Sequence, residues 1–92
     1  MSKLGRREYF LFKISDKNLE SLIDTIKSTL DPPSEYSINI YPGKYNLNVV
    51  SEISGPDEEK IKSIDLEISS KVLEICEKRG IECHVIETLE IL

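Results

Sequence analysis

The chain has 92 residues, 39% of them hydrophobic and 32% charged, with 12 basic against 17 acidic side chains and a net charge of −5. That size and balance describe one small folded domain with one core, and the negative field works against a phosphate backbone as the main partner. No apolar run approaches the roughly 20 residues that span a bilayer, and Cys76 and Cys83 make no disulfide framework, so a reducing, cytoplasmic setting is the expectation.

Residues 1–7 read as a flexible arm with a weak basic cluster, Lys3, Arg6 and Arg7, and residues 8–92 as the domain. The first strand spans 8–14. Phe10, Phe12 and Ile14 alternate with Tyr9, Leu11 and Lys13, so both faces are partly apolar and a central position in a sheet follows. Ser15 and Asp16 then offer helix-capping oxygens. Leu19, Leu22, Ile23, Ile26 and Leu30 form one helical face, and Pro32-Pro33 stops it.

Two further strands follow. Tyr36, Ile38 and Ile40 alternate with Ser37, Asn39 and Tyr41, and Tyr45, Leu47 and Val49 with Asn46, Asn48 and Val50. Between them, Pro42-Gly43 suits the centre of a type II turn, although tight hairpins prefer primed turns and a wider connection is the alternative. The second helix has Ser54 as a candidate cap, Pro56 and the acids Asp57, Glu58 and Glu59 at its start, and Lys78, Arg79 and Gly80 at its end. Its apolar stripe is Ile61, Ile64, Ile68, Val72, Ile75 and Cys76, with Leu66 and Leu73 on the opposite side. Residues 81–89 make the last strand.

The order strand-helix-strand-strand-helix-strand predicts an α+β, ferredoxin-like βαββαβ sandwich, with a four-stranded antiparallel sheet in the order 4-1-3-2 and both helices on one face. The open face is then expected to show Tyr9, Leu11, Lys13, Asn39, Tyr41, Asn46, Asn48, Val50, His84 and Ile86.

Chemistry-bearing residues are sparse. His84 is the only histidine, and Cys83 beside it points to the other face of a strand. No metal-ligand spacing, catalytic constellation or cofactor motif is evident. The acids at the second helix start are explained by the helix dipole. An acylphosphatase-type site needs glycine and arginine in the loop after the first strand, where this chain has Ser15-Asp16-Lys17-Asn18. The expectation is a chain that is not an enzyme.

The hairpin Ile40-Tyr41-Pro42-Gly43-Lys44-Tyr45, the following Asn46-Leu47-Asn48-Val49-Val50, and the helix end Glu77-Lys78-Arg79-Gly80-Ile81-Glu82-Cys83-His84-Val85 resemble the C-terminal α/β domain of the α subunit of eukaryotic and archaeal translation initiation factor two. The resemblance covers roughly residues 8–90. Lys44 stands where that family commonly carries an arginine, and lacks its planar fork. The family's N-terminal barrel and helical domain have no counterpart here, so the resemblance leaves open an excised domain or a diverged single-domain protein.

The resemblance implies a non-catalytic domain that docks on the GTP-binding γ subunit in initiator-tRNA delivery. Loop ends on a rigid sheet are where such recognition is expected: Tyr41, Pro42, Lys44 and Tyr45 at the hairpin, and Asp16, Lys17 and Asn18 after the first strand. Two alternatives remain open: an RNA-binding module using the open sheet face, with Tyr9 and Tyr41 stacking on bases, and a small dimeric ligand-binding regulatory domain.

Overall fold

In the computed structural model, which describes residues 2–12, 14–43, 48–85 and 89–92, the chain runs β1 (Lys3–Phe12), α1 (Asp16–Ser28), β2 (Ser37–Pro42), β3 (Asn48–Gly55), α2 (Glu58–Lys78), β4 (Glu82–Val85) and β5 (Glu90–Ile91). The sheet is antiparallel with the order β2-β3-β1-β4, and β5 also pairs with β1. This is the predicted order read from its other edge. β1 is its axis: Tyr9 lies opposite Val49 of β3 on one side and opposite Val85 of β4 on the other.

β1 begins at Lys3, so most of the segment expected as an arm is strand instead. Lys3 to Phe10 pair with β3, and Gly5 and Arg6 also meet β5. The faces of β1 are the reverse of those expected. Tyr9 and Leu11 are buried under the helices, at 0% and 1% exposure, while Phe10 and Phe12 stand on the open face. The reason lies upstream of the expected strand start. With β1 extended back to Lys3, Gly5 and Arg7 share the face of Tyr9, and each has a specific partner on α2. A β-carbon on Gly5 would collide with Ile61, and Arg7 pairs with Asp65.

Both helices form where the apolar periodicity places them. Ser15 caps α1 by accepting the Asn18 N–H, and Leu19, Leu22, Ile23 and Ile26 turn inward. α2 starts later than Ser54: its cap is Asp57, which accepts the Glu59 N–H at 3.1 Å. Ser54 is still in β3, its hydroxyl 2.7 Å from that of Ser37. At the other end Gly80 has φ +68, the left-handed conformation that stops a helix. The inward stripe of α2 is Ile61, Ile64, Asp65, Ile68, Val72 and Cys76. Leu66 and Leu73 are exposed as expected. Cys83 packs against the core that holds Cys76.

Candidate docking site

α1 lies along β2, the strand at the sheet edge. Between them runs a groove of about 510 Å³, lined on the helix by Asp16, Leu19, Glu20, Ile23, Asp24 and Lys27, and on the strand by residues 39–42. Sequence explains both walls. Leu19 and Ile23 belong to the buried stripe of α1, so their neighbours at Asp16, Glu20 and Asp24 flank that stripe at four-residue intervals. On β2, Ile40 points into the core, and Asn39 and Tyr41 point to the open face.

The hairpin is wider than a two-residue turn. Pro42 is paired with Val49, and Gly43 donates its N–H to the Asn48 carbonyl at 2.8 Å. Pro42-Gly43 therefore continues the pairing of β2 with β3 rather than forming the corner. Proline is tolerated there because β2 is an edge strand. Gly43 is required by close approach: a β-carbon on it would strike the Asn48 side chain.

Tyr41 also reaches a second hollow, on the open face, with Arg6, Glu8, Phe10, Pro42, Gly43, Asn48 and Val50. A polar chain crosses three strands here. The Asn48 amide donates to Glu8 at 3.0 Å, Glu8 pairs with Arg6 at 2.6 Å, and the Tyr41 hydroxyl donates to Glu52. The hydrogen bond to Glu8 raises the Arg6 pKa. The bond to Glu52, with burial, raises that of Tyr41. Tyr41 is therefore held by its hydroxyl, and its ring forms the rim between groove and hollow.

Of the predicted site residues, Asp16, Tyr41 and Pro42 come together around the groove. Lys17 and Asn18 are exposed on the first turn of α1 and do not line it. Lys44 and Tyr45 lie outside the described residues, as do Lys13, Asn46 and Ile86 of the expected open face. Asn39, Tyr41, Asn48, Val50 and His84 lie on that face. Tyr9 and Leu11 do not. Glu20 and Asp24 were missed as groove residues. Their spacing from Asp16 is visible in the chain, but the helix they belong to could be placed against the edge strand only by tertiary structure.

The class these observations define is an α+β sandwich with a grooved sheet edge that is unpaired among the described residues. No protein-family model matches the chain, and a comparison with curated proteins finds no match. Solved structures share the fold. The intact α subunit of aIF2 from Pyrococcus abyssi matches with a TM-score of 0.78 at 11% identity, over 96% of this chain and 34% of that one. A C-terminal segment of the same subunit matches with a TM-score of 0.68 at 14% identity, over 95% of this chain and 51% of that one. This chain thus spans about a third of the intact subunit and about half of the segment. The de novo designed protein Foldit4 also matches, with a TM-score of 0.53 at 15% identity. At such identities the likeness is one of fold, and fold alone assigns no function.

Proposed function

We propose that this chain is a non-catalytic docking domain that binds the GTP-binding γ subunit of translation initiation factor two, as the resemblance to the C-terminal domain of the α subunit implies. The observation that carries the reading is the groove between α1 and β2, where Asp16 from one predicted contact segment meets Tyr41 and Pro42 from the other. An apolar floor, a half-buried aromatic rim and a polar surround are the composition of an interface centre. The fold likeness to the aIF2 α subunit supports the choice of partner. The test is capture of the purified γ subunit by the whole chain. Tyr41→Ala combined with Lys44→Ala should weaken capture at least about tenfold. Unchanged capture would remove this surface from the interface.

A second reading, single-stranded RNA on the open sheet face, is favoured by one observation: Phe10 and Phe12 are 39% and 47% exposed on the central strand. Tyr9 cannot serve, because it is buried. The reading predicts salt-sensitive binding that Phe10→Ala reduces, and no binding in low salt eliminates it.

A further inference from the structure

The sheet edge beside the groove has its own recognition chemistry, set by the phase of its hydrogen bonds. Gly43 N–H donates to the carbonyl of Asn48, its opposite number in a register that continues Pro42↔Val49, Tyr41↔Val50, Ile40↔Ser51, Asn39↔Glu52 and Ile38↔Ile53. Opposed residues in an antiparallel pair alternate between bonded and non-bonded. Tyr41 and Asn39 therefore exchange bonds with β3, and the backbone groups of Ile38 and Ile40 point away from it. β2 ends the sheet, so among the described residues no strand receives them. Pro42 has no N–H and adds only its carbonyl. The free edge thus offers the N–H and C=O of Ile38 and Ile40 and the C=O of Pro42, enough for a short extended segment of about three to five residues.

Edge strands are usually protected by charge, lysine above all, or by a covering element. The strand Ser-Ile-Asn-Ile-Tyr-Pro of β2 has no charged residue. The charge stands instead on the adjoining wall of the groove, at Asp16, Glu20 and Asp24, with Lys27 as the one base lining it among the described residues. Leu19, Ile23 and Ile40 beneath them are at most 5% exposed. Such a wall repels a second copy of the same acidic edge, and it repels nucleic-acid phosphates. It attracts a strand whose helix-side residues are cationic.

We propose that β2 is completed by an extended peptide segment of the partner that carries lysine or arginine at alternate positions. Its backbone pairs with Ile38 and Ile40, and its basic side chains, all on one face by the two-residue period of a strand, lie along Asp16, Glu20 and Asp24. Proline at Pro42 closes the pairing at that end. The inference rests on the docking reading above and names the kind of segment the partner offers.

The experiment uses the whole ¹⁵N-labelled chain and two synthetic probes, Val-Arg-Val-Arg-Val-Arg and Val-Glu-Val-Glu-Val-Glu, each capped at both ends. The basic probe should bind and slow hydrogen exchange at the Ile38 and Ile40 amides at least about tenfold, and the acidic probe should not. The exposed-charge variant Asp16→Asn with Glu20→Gln and Asp24→Asn should weaken the basic probe about tenfold, as three exposed ion pairs together would. Binding without slowed exchange at Ile38 and Ile40, equal binding of the acidic probe, or an unaffected triple variant would each overturn the proposal. So would a dimer of the chain alone with those amides already protected. The γ subunit is tested in parallel. If it binds while the two amides exchange at their free rate, docking stands and edge pairing falls. If the basic probe protects them and the γ subunit does not bind, edge pairing stands and the choice of partner falls.

Discussion

Arg7 of β1 grips Asp65 of α2 from inside the fold: its Nε donates to both carboxylate oxygens at 3.0 Å, and its Nη2 lies 2.9 Å from Oδ2, with the Asp65 side chain 2% exposed. This pair clamps the first strand to the second helix across 58 residues of chain. Breaking a buried pair by removing one partner leaves the other charge uncompensated. Asp65→Leu alone should cost about 3–5 kcal/mol, and Arg7→Met with Asp65→Leu should recover most of that. Urea unfolding of the two variants decides it. A double variant no better than the single one would mean the pair is not the clamp.

The same carboxyl predicts a pH dependence. Burial pushes the Asp65 pKa up, and the hydrogen bond and charge of Arg7 pull it back only in part. The folded chain therefore holds this proton more tightly than the unfolded chain. Its contribution to stability is full below the ordinary carboxylate range and is lost as pH rises through the raised folded value. Relative to Asp65→Asn, which cannot titrate, the parent chain should lose stability as pH rises from below the ordinary carboxylate range through the raised folded value. A difference that is flat or of opposite sign would show that Arg7 outweighs burial.

Tyr9 is wholly buried, and its hydroxyl is 2.9 Å from that of Ser69. Burial raises its pKa above that of a free phenol, against the pull of the Ser69 bond. The neutral phenol is the folded form, so this contribution is present below about pH 10 and fades above it. Tyr9→Phe should cost about 1 kcal/mol at neutral pH for the lost hydrogen bond and remove part of the alkaline unfolding seen by circular dichroism.

Two glycines separate conformation from space. At Gly80 the left-handed φ is the whole constraint, since a β-carbon would meet nothing within 4 Å. Gly80→Ala should cost about 1–2 kcal/mol, the penalty for an L-residue in that region, and Gly80→Asn less. At Gly55 a β-carbon would land on the Tyr36 ring. Gly55→Ala should therefore lower the melting temperature more than Gly80→Ala, and the reverse order would contradict the packing there.

Cys76 of α2 and Cys83 of β4 are both free thiols, Cys76 fully buried. Hydrogen bonding to Cys76 and burial push the Cys83 pKa far up. Cys83 is thus poor in thiolate, the nucleophile, and Cys76, whose pKa the same bond lowers, is shielded by burial, so native chain at pH 7 should release little colour from an aromatic disulfide reagent, and both cysteines should react in denaturant. Rapid reaction of both in native buffer would refute their packing against the core.

How much of this was legible beforehand depends on the range of the interaction. The order of the first six elements, the two helical stripes, the Ser15 cap and the Gly80 stop are local patterns, and all are present in the structure; the short β5 at Glu90–Ile91 was not expected. Asp57 displaced Ser54 as the second cap because Ser54 is retained by its strand pairing with Ser37. Asp65 stands in the apolar stripe between Ile64 and Ile68, a signal that a buried partner was needed. The partner, Arg7, lay in the segment read as an arm. Of the site, Asp16, Tyr41 and Pro42 were nameable as loop-end residues; the groove that joins them was not.

The amino-acid sequence by itself determined both helices and four of the strands and, through their order, the βαββαβ topology, though neither the start of β1 at Lys3 nor the short β5, because three-point-six- and two-residue periodicities and caps act within a few residues of chain. Only the tertiary structure decided which face of β1 is buried. Tyr9-Leu11 and Phe10-Phe12 are both apolar enough to be core, and the choice was made by contacts of Gly5 and Arg7 with a helix more than fifty residues away. It also decided that the acids of α1 stand beside β2, whose place at the sheet edge the predicted strand order already implied, since no strand or helix alone records its neighbour.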